Sequence, residues 1–218
     1  MSIAKRLTAL IAASIACLLL LSGLSHYQMN TVYNAANFGN ENSVPSMQIL
    51  NKATISFFQV RTKIMTHAVS HSPKLKIELD TAIAQEIENL DKDLKNYESV
   101  LYNEQDKRLL EAEKATLIDY KKLVQSVLEL SWDYEQENAL KAIATGEVLA
   151  KKLTDQFQEH MKFNEELGKK EAGEAARTKR TSSMISLAVL LCALAASLII
   201  GISTVRSLST RIAQANLL

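Results

Sequence analysis

The sequence predicts an all-α protein: two transmembrane helices flanking an antiparallel up-down-up-down extracytoplasmic four-helix bundle. Three observations predict it. All 24 Asp and Glu residues lie between Glu41 and Glu174, while the stretches 7–40 and 181–205 hold no Asp, Glu, Lys or Arg. Between those stretches, apolar residues recur in alternating steps of three and four, the spacing of one helix face. Six Gly, two Pro and 6% aromatics in 218 residues speak against a sheet-rich fold with many tight turns. The formal charge of +1, with Lys and Arg mingled among Asp and Glu instead of forming a basic stripe, excludes strong generic attraction to nucleic acid, and no nucleic-acid partner is expected.

The first element is the run 7–24, LTALIAASIACLLLLSGL. It approaches the ~20 apolar residues that cross a hydrocarbon core. A cleaved signal peptide has the same basic start, but here the apolar run is long and no clean small-x-small cleavage site follows. The second such run is 184–205, MISLAVLLCALAASLIIGISTV, in which nothing resists burial in lipid. Lys5 and Arg6 before the first run, and Arg206 and Arg211 after the second, favour both chain ends on the cytoplasmic side. Arg177, Lys179 and Arg180 oppose that orientation, but long translocated domains obey the charge rule poorly. The expected layout is a cytoplasmic N-terminus at 1–6, spans at 7–25 and 181–205, an extracytoplasmic domain at 26–180 and a linker start at 206–218. Cys17 and Cys192 both fall inside the apolar runs, so the expected outside domain has no disulfide scaffold.

Within that domain, the polar stretch 37–42 reads as an interruption, Ser43 as a cap and Pro45 as a first-turn residue. Met47, Leu50, Thr54, Phe57, Arg61, Ile64, Ala68 and His71 then form the seam of helix one. Ser72-Pro73 starts helix two, with Ile83, Ile87, Leu90, Leu94, Tyr97 and Leu101 as its seam. Asn103 caps helix three, which carries Leu110, Leu117, Tyr120, Val124 and Val127 and fades at Trp132-Asp133-Tyr134. Helix four starts near Asn138, is open to interruption at Gly146, and carries Leu149, Leu153, Phe157, His160, Phe163 and Leu167. Short connections between long helices make neighbours antiparallel. An even number of helices returns the chain to the membrane.

With these elements in place the chain resembles the bacterial methyl-accepting chemotaxis receptors. Asn42-Ser43-Val44-Pro45 looks like the entry of their four-helix-bundle sensory domain. Asn138-Ala139-Leu140 through Ala144-Thr145-Gly146-Glu147, running on to Met161-Lys162-Phe163-Asn164, looks like that domain's last helix. Ile202-Ser203-Thr204-Val205-Arg206-Ser207-Leu208 looks like the start of a HAMP linker, whose usual proline is replaced around Arg211. The resemblance implies the sensing half of a chemotaxis receptor in the bacterial inner membrane, with its sensory domain in the periplasm. It also implies a homodimer, and a cytoplasmic kinase complex reached only through a C-terminal region beyond Leu218. A sensor kinase or nucleotide cyclase can carry the same bundle, and a non-sensory membrane tether is a third reading.

Arg61 is the most informative candidate, because it stands in an apolar seam. A guanidinium there must meet an anion or reach water. It can hold a ligand carboxylate, pair with an internal carboxylate, or extend out of the seam. The resemblance adds that helix-one arginines clamp the ligand carboxylate in aspartate and serine receptors. Only one arginine stands in helix one here, so a small organic anion is the expected ligand. Tyr120 and Gln156 are expected near the level of Arg61 as ligand contacts, or else as core packing. Trp132 and Tyr134 are expected to cover a bundle end. His67 and His71 share a helical spacing that suits metal, but no third and fourth ligand accompanies them. No catalytic constellation, metal or cofactor is expected. The carboxylates are read as lying on solvated helix faces.

Overall fold

The computed structural model describes residues 3–215, and the described residues fold entirely as helices and short turns. They comprise α1 (Ile3–Phe38), a π-helical segment (Gly39–Ser43), α2 (Val44–Val69), α3 (Pro73–Tyr97), a 3-10 turn (Glu98–Val100), α4 (Glu104–Trp132) and α5 (Gln136–Ala215). The chain divides into two compact units, one made of the residues up to Asn37 and from Glu171 onward, the other of Phe38–Lys170. The bundle unit lies inside the expected domain at 26–180.

In the first unit two helical runs are long and apolar enough to cross a membrane. Their large side chains face outward: Leu18, Leu19 and Leu20 are exposed, as are Leu194, Leu198 and Ile199. A soluble protein rarely leaves so much apolar surface uncovered. Ser186 Oγ donates a hydrogen bond to Gln28 Oε1 at 3.0 Å, joining α1 and α5 in this unit. The expected linker start stays helical through Ala215, whereas residues 216–218 lie outside the described residues.

The second unit is a four-helix bundle of α2, α3, α4 and the part of α5 up to Lys170. Its start signals act as the sequence suggests at two places. Ser72 caps α3 by accepting from Leu75 N, with Pro73 in the first turn. Asn103 Oδ1 accepts from the backbone N–H groups of Gln105 and Asp106 at 2.9 and 3.0 Å, so it caps α4 twice over. Asn103→Ala is expected to lower bundle stability by about 1 kcal/mol, measured by chemical denaturation, with Asn103→Asp retaining most of it.

The start of α2 differs from the expectation. Residues 37–42 do not interrupt the helix: Gly39–Ser43 stay helical with π geometry, and Ser43 is itself helical and makes no capping bond. The wider π turn takes up the polar residues without a break. Asn42 Nδ2 donates to Val100 O at 3.3 Å, which ties this turn to the end of the 3-10 segment. Gly146 does not interrupt helix four either. It lies within α5, where a Cβ atom would come within 2.1 Å of Leu123 Cδ2, so the glycine lets α4 and α5 approach closely.

The core is one continuous cluster. Leu50, Phe57, Ile83, Leu90, Leu94, Val127, Leu153 and Phe157 are each at most 1% exposed. The ring of Phe57 packs edge-on against Tyr120 at 4.9 Å and against Phe157 at 6.2 Å. Each such large side chain contributes roughly 1.5–3 kcal/mol by leaving water. The buried face of α2 runs through Leu50, Ala53, Phe57, Val60, Ile64 and His67. That is rotated from the expected stripe: Arg61 stands at its edge and His71 is exposed.

Candidate functional site

Arg61 leaves the edge of α2 and meets Glu147 of α5. Its Nη2 donates to both carboxylate oxygens of Glu147, at 2.8 and 2.6 Å. The guanidinium lies 5.9 and 5.8 Å from the ring centroids of Phe57 and Phe58. The Arg61 side chain is 29% exposed and that of Glu147 58%. Arg61 is therefore half-sheltered on its aromatic side, while its anion can swing out to water at small cost. Beside the pair is a cavity of about 310 Å³, walled by Phe58, Thr62 and Met65 of α2, Tyr120 of α4 and Gly146 of α5, among others. Burial pushes the Tyr120 phenol up from its ordinary value, with Arg61 opposing and Glu147 adding to the shift. Tyr120 thus presents a neutral hydroxyl beside the ion pair.

Of the three sequence-predicted residues, the fold brings Arg61 and Tyr120 together on this cavity. Gln156 does not line it. It lies nine residues beyond Glu147 on α5, about 13 Å farther along the axis, and its Oε1 is buried without a hydrogen-bond partner. Glu147, the partner of Arg61, carried no signal of its own in the sequence.

Two further polar groups occupy the core. At the end of the bundle where α2 and α4 begin, His160 of α5 is fully buried between two carboxylates of α4. Its Nε2 is 2.6 Å from Asp106 Oδ1 and its Nδ1 is 2.9 Å from Glu113 Oε1. Asp106 also accepts from Tyr97 Oη and from the backbone N–H of Tyr102, both at 2.8 Å. Asn164 Nδ2 donates to Tyr97 Oη at 2.7 Å. Burial opposes charge on His160, but the bonds to Asp106 and Glu113 outweigh it and raise its pKa to about 9. Burial also pushes Asp106 up, yet the donors from His160, Tyr102 and Tyr97 hold it below its ordinary value. Glu113, with the single donor His160, stays raised by its burial.

At the other end, Lys76 is 1% exposed. Its Nζ donates to Ser131 O and lies 5.5 and 5.0 Å from the ring centroids of Trp132 and Tyr134. Trp132 Nε1 donates to Asp80 Oδ2 at 3.0 Å. Trp132 and Tyr134 therefore box a buried ammonium at the bundle end. Tyr134 does so from the left-handed region, at φ 61°, where a non-glycine residue is strained. His67, buried beside this group, exchanges a contact of 2.9 Å with Ser131 Oγ, whereas His71 reaches Gln136. The two histidines do not converge.

The expectation that carboxylates lie on solvated faces is wrong for Asp106 and Glu113, which are both fully buried. The signal was present. Asp106, Leu110, Glu113, Leu117, Tyr120, Val124 and Val127 keep the alternating steps of a single seam, so both acids stand in core register. Lys76 holds the same relation to Ile83 in α3.

The chain matches, over residues 1–178, the family described as "Four helix bundle sensory module for signal transduction". It is also similar to a protein of Acetivibrio thermocellus curated as "Putative sensory transducer protein", 27% identical over 133 residues. That similarity covers 61% of this chain and 24% of the relative, so the chain spans about a quarter of the relative's length.

Proposed function

Because the chain belongs to the family of four-helix-bundle sensory modules for signal transduction, we propose that it is the sensing part of a chemoreceptor-type transmembrane protein. In this reading the apolar runs of α1 and α5 cross the bacterial inner membrane, and the up-down-up-down bundle stands on the periplasmic side. The observation that carries the ligand assignment is Arg61 beside an aromatic-walled cavity, held by a carboxylate that is largely exposed. A small organic anion takes the place of Glu147 on the guanidinium, and Glu147 moves to water. A ligand that carries an ammonium next to its carboxylate fits better still, because it replaces both halves of the ion pair. Tyr120 supplies a neutral hydroxyl and a ring face.

A homodimer has separate support. Ile55, Phe58, Met65 and Val69 of α2 are 52, 43, 44 and 50% exposed. With Thr62 they step by three and four residues, a second apolar seam on the face away from the core. A second copy packed on that seam would lie beside Phe58, Thr62 and Met65, which also wall the cavity. Ligand binding would then bias the packing of α2 against α5. The available energy is the ligand's preference for one arrangement over the other. α5 remains helical to Ala215, which gives a displacement a continuous path toward a HAMP linker, a kinase complex and the chemotaxis output.

Calorimetric titration of the full chain in nanodiscs, with a panel of carboxylates and amino acids, tests this reading. Arg61→Ala is expected to weaken binding roughly 10- to 100-fold, the loss of a charge-assisted bidentate contact. Binding that survives in Arg61→Ala would move the site elsewhere. No binding by either class would remove direct sensing at this cavity.

A further inference from the structure

We propose that Asp106, Glu113 and His160 form a buried proton-binding site, through which the bundle reads pH as an input separate from the Arg61 cavity. Each ring nitrogen of His160 faces a carboxylate oxygen, at 2.6 and 2.9 Å. A neutral imidazole carries one N–H, and its other nitrogen would turn a lone pair toward a carboxylate. Between two ionised carboxylates, two good contacts therefore require the imidazolium. With both carboxyls ionised, the trio carries one net negative charge in a core where all three side chains are fully buried. A further proton makes it neutral.

The geometry also selects which group takes that proton. Both oxygens of Asp106 are engaged, Oδ1 by Tyr97 and His160, Oδ2 by the Tyr102 N–H. Glu113 receives only His160, and its Oε2 is buried without any hydrogen-bond partner. A buried oxygen that carries charge and meets no donor is costly, and protonation removes the larger part of that cost, the charge. α2 brings Ser46, and α3 brings Tyr97, whose ring lies 4.6 Å from that of His160. α4 brings the two acids, and α5 brings His160 and Asn164. Burial raises the Glu113 carboxyl and holds the Tyr97 phenol neutral, in agreement with this assignment. The site joins α4 to α5, so loss of the proton leaves an uncompensated charge between those two helices.

The test uses the full chain in nanodiscs with carboxyl-labelled glutamate, Glu113 being assigned by Glu113→Gln. The Glu113 carboxyl is expected to titrate above the ordinary value of 4.5. Amide protection in 104–118 and 153–168, corrected for intrinsic exchange, should be partly lost as Glu113 deprotonates. Glu113→Gln should not show that loss, and Arg61→Ala should show it as the wild type does. A Glu113 that titrates in the ordinary range, or identical pH responses in wild type and Glu113→Gln, would overturn the proposal. Should Glu113→Gln fail to fold, the ring nitrogens of wild-type His160 decide. Both should stay protonated up to about 9, and a single-proton tautomer at neutral pH would overturn it.

Discussion

Asp106→Ala is expected to lower the unfolding free energy by roughly 3–5 kcal/mol, the cost of removing one partner from a buried charge network. The aspartate accepts from His160, from Tyr97 Oη and from the Tyr102 backbone N–H, and it is fully buried. Alanine leaves two buried donors, one of them on a cation, and the part-buried Tyr102 N–H without an acceptor. Denaturant unfolding of the full chain in detergent checks this. Asp106→Asn should fall between the two, because its amide oxygen restores one acceptor while the charge is gone. A loss below about 1 kcal/mol, the scale of one ordinary hydrogen bond, would mean that the trio is solvated in solution.

The second large effect is a fall in stability toward alkaline pH. The folded His160 titrates at about 9, against an ordinary 6.5. A cation whose pKa is raised by folding contributes fully below its unfolded value, and that contribution is lost as pH rises through the folded one. The shift corresponds to about 3 kcal/mol as an order of magnitude, disappearing between about pH 6.5 and 9. Asp106 works in the opposite sense. Its folded pKa is depressed below 3.8, so its contribution is present above that value and fades in acid. Glu113, raised by its burial, adds to the loss as pH rises above 4.5, so stability should peak on the acid side of the His160 limb. Urea unfolding across the range from mild acid to alkali measures both. His160→Gln should flatten the alkaline limb, and an alkaline limb of unchanged size in that variant would place its origin elsewhere.

Much of the bundle was legible because helical periodicity reports burial directly. Leu110, Leu117, Tyr120, Val124 and Val127 all lie in the core, as their spacing requires. Ser72-Pro73 and Asn103 start their helices because caps act within one turn of chain, with no help from distant residues. The same locality explains where reading failed. Ser43 has the chemistry of a cap, but the backbone around it stays helical, and side-chain chemistry alone does not reveal a π turn. Arg61 drew attention as a charge in an apolar stripe. Its true position is one step off the stripe, at the edge, where it finds Glu147 across the bundle. Asp106 and Glu113 stood in core register in the sequence and were legible by the same rule that selected Arg61.

By itself, then, the sequence determined the helical class, the two apolar runs, the seams and two of the helix starts, because each follows from composition or from spacing along one helix. Tertiary structure alone decided the pairings. Which acid meets Arg61, which nitrogen of His160 faces which carboxylate, and which rings close over Lys76 depend on the rotation and height of neighbouring helices. A one-residue step rotates a helix face by ~100° and raises it by ~1.5 Å. Contacts across the bundle are fixed only when all four helices pack together, and no single helix carries that information.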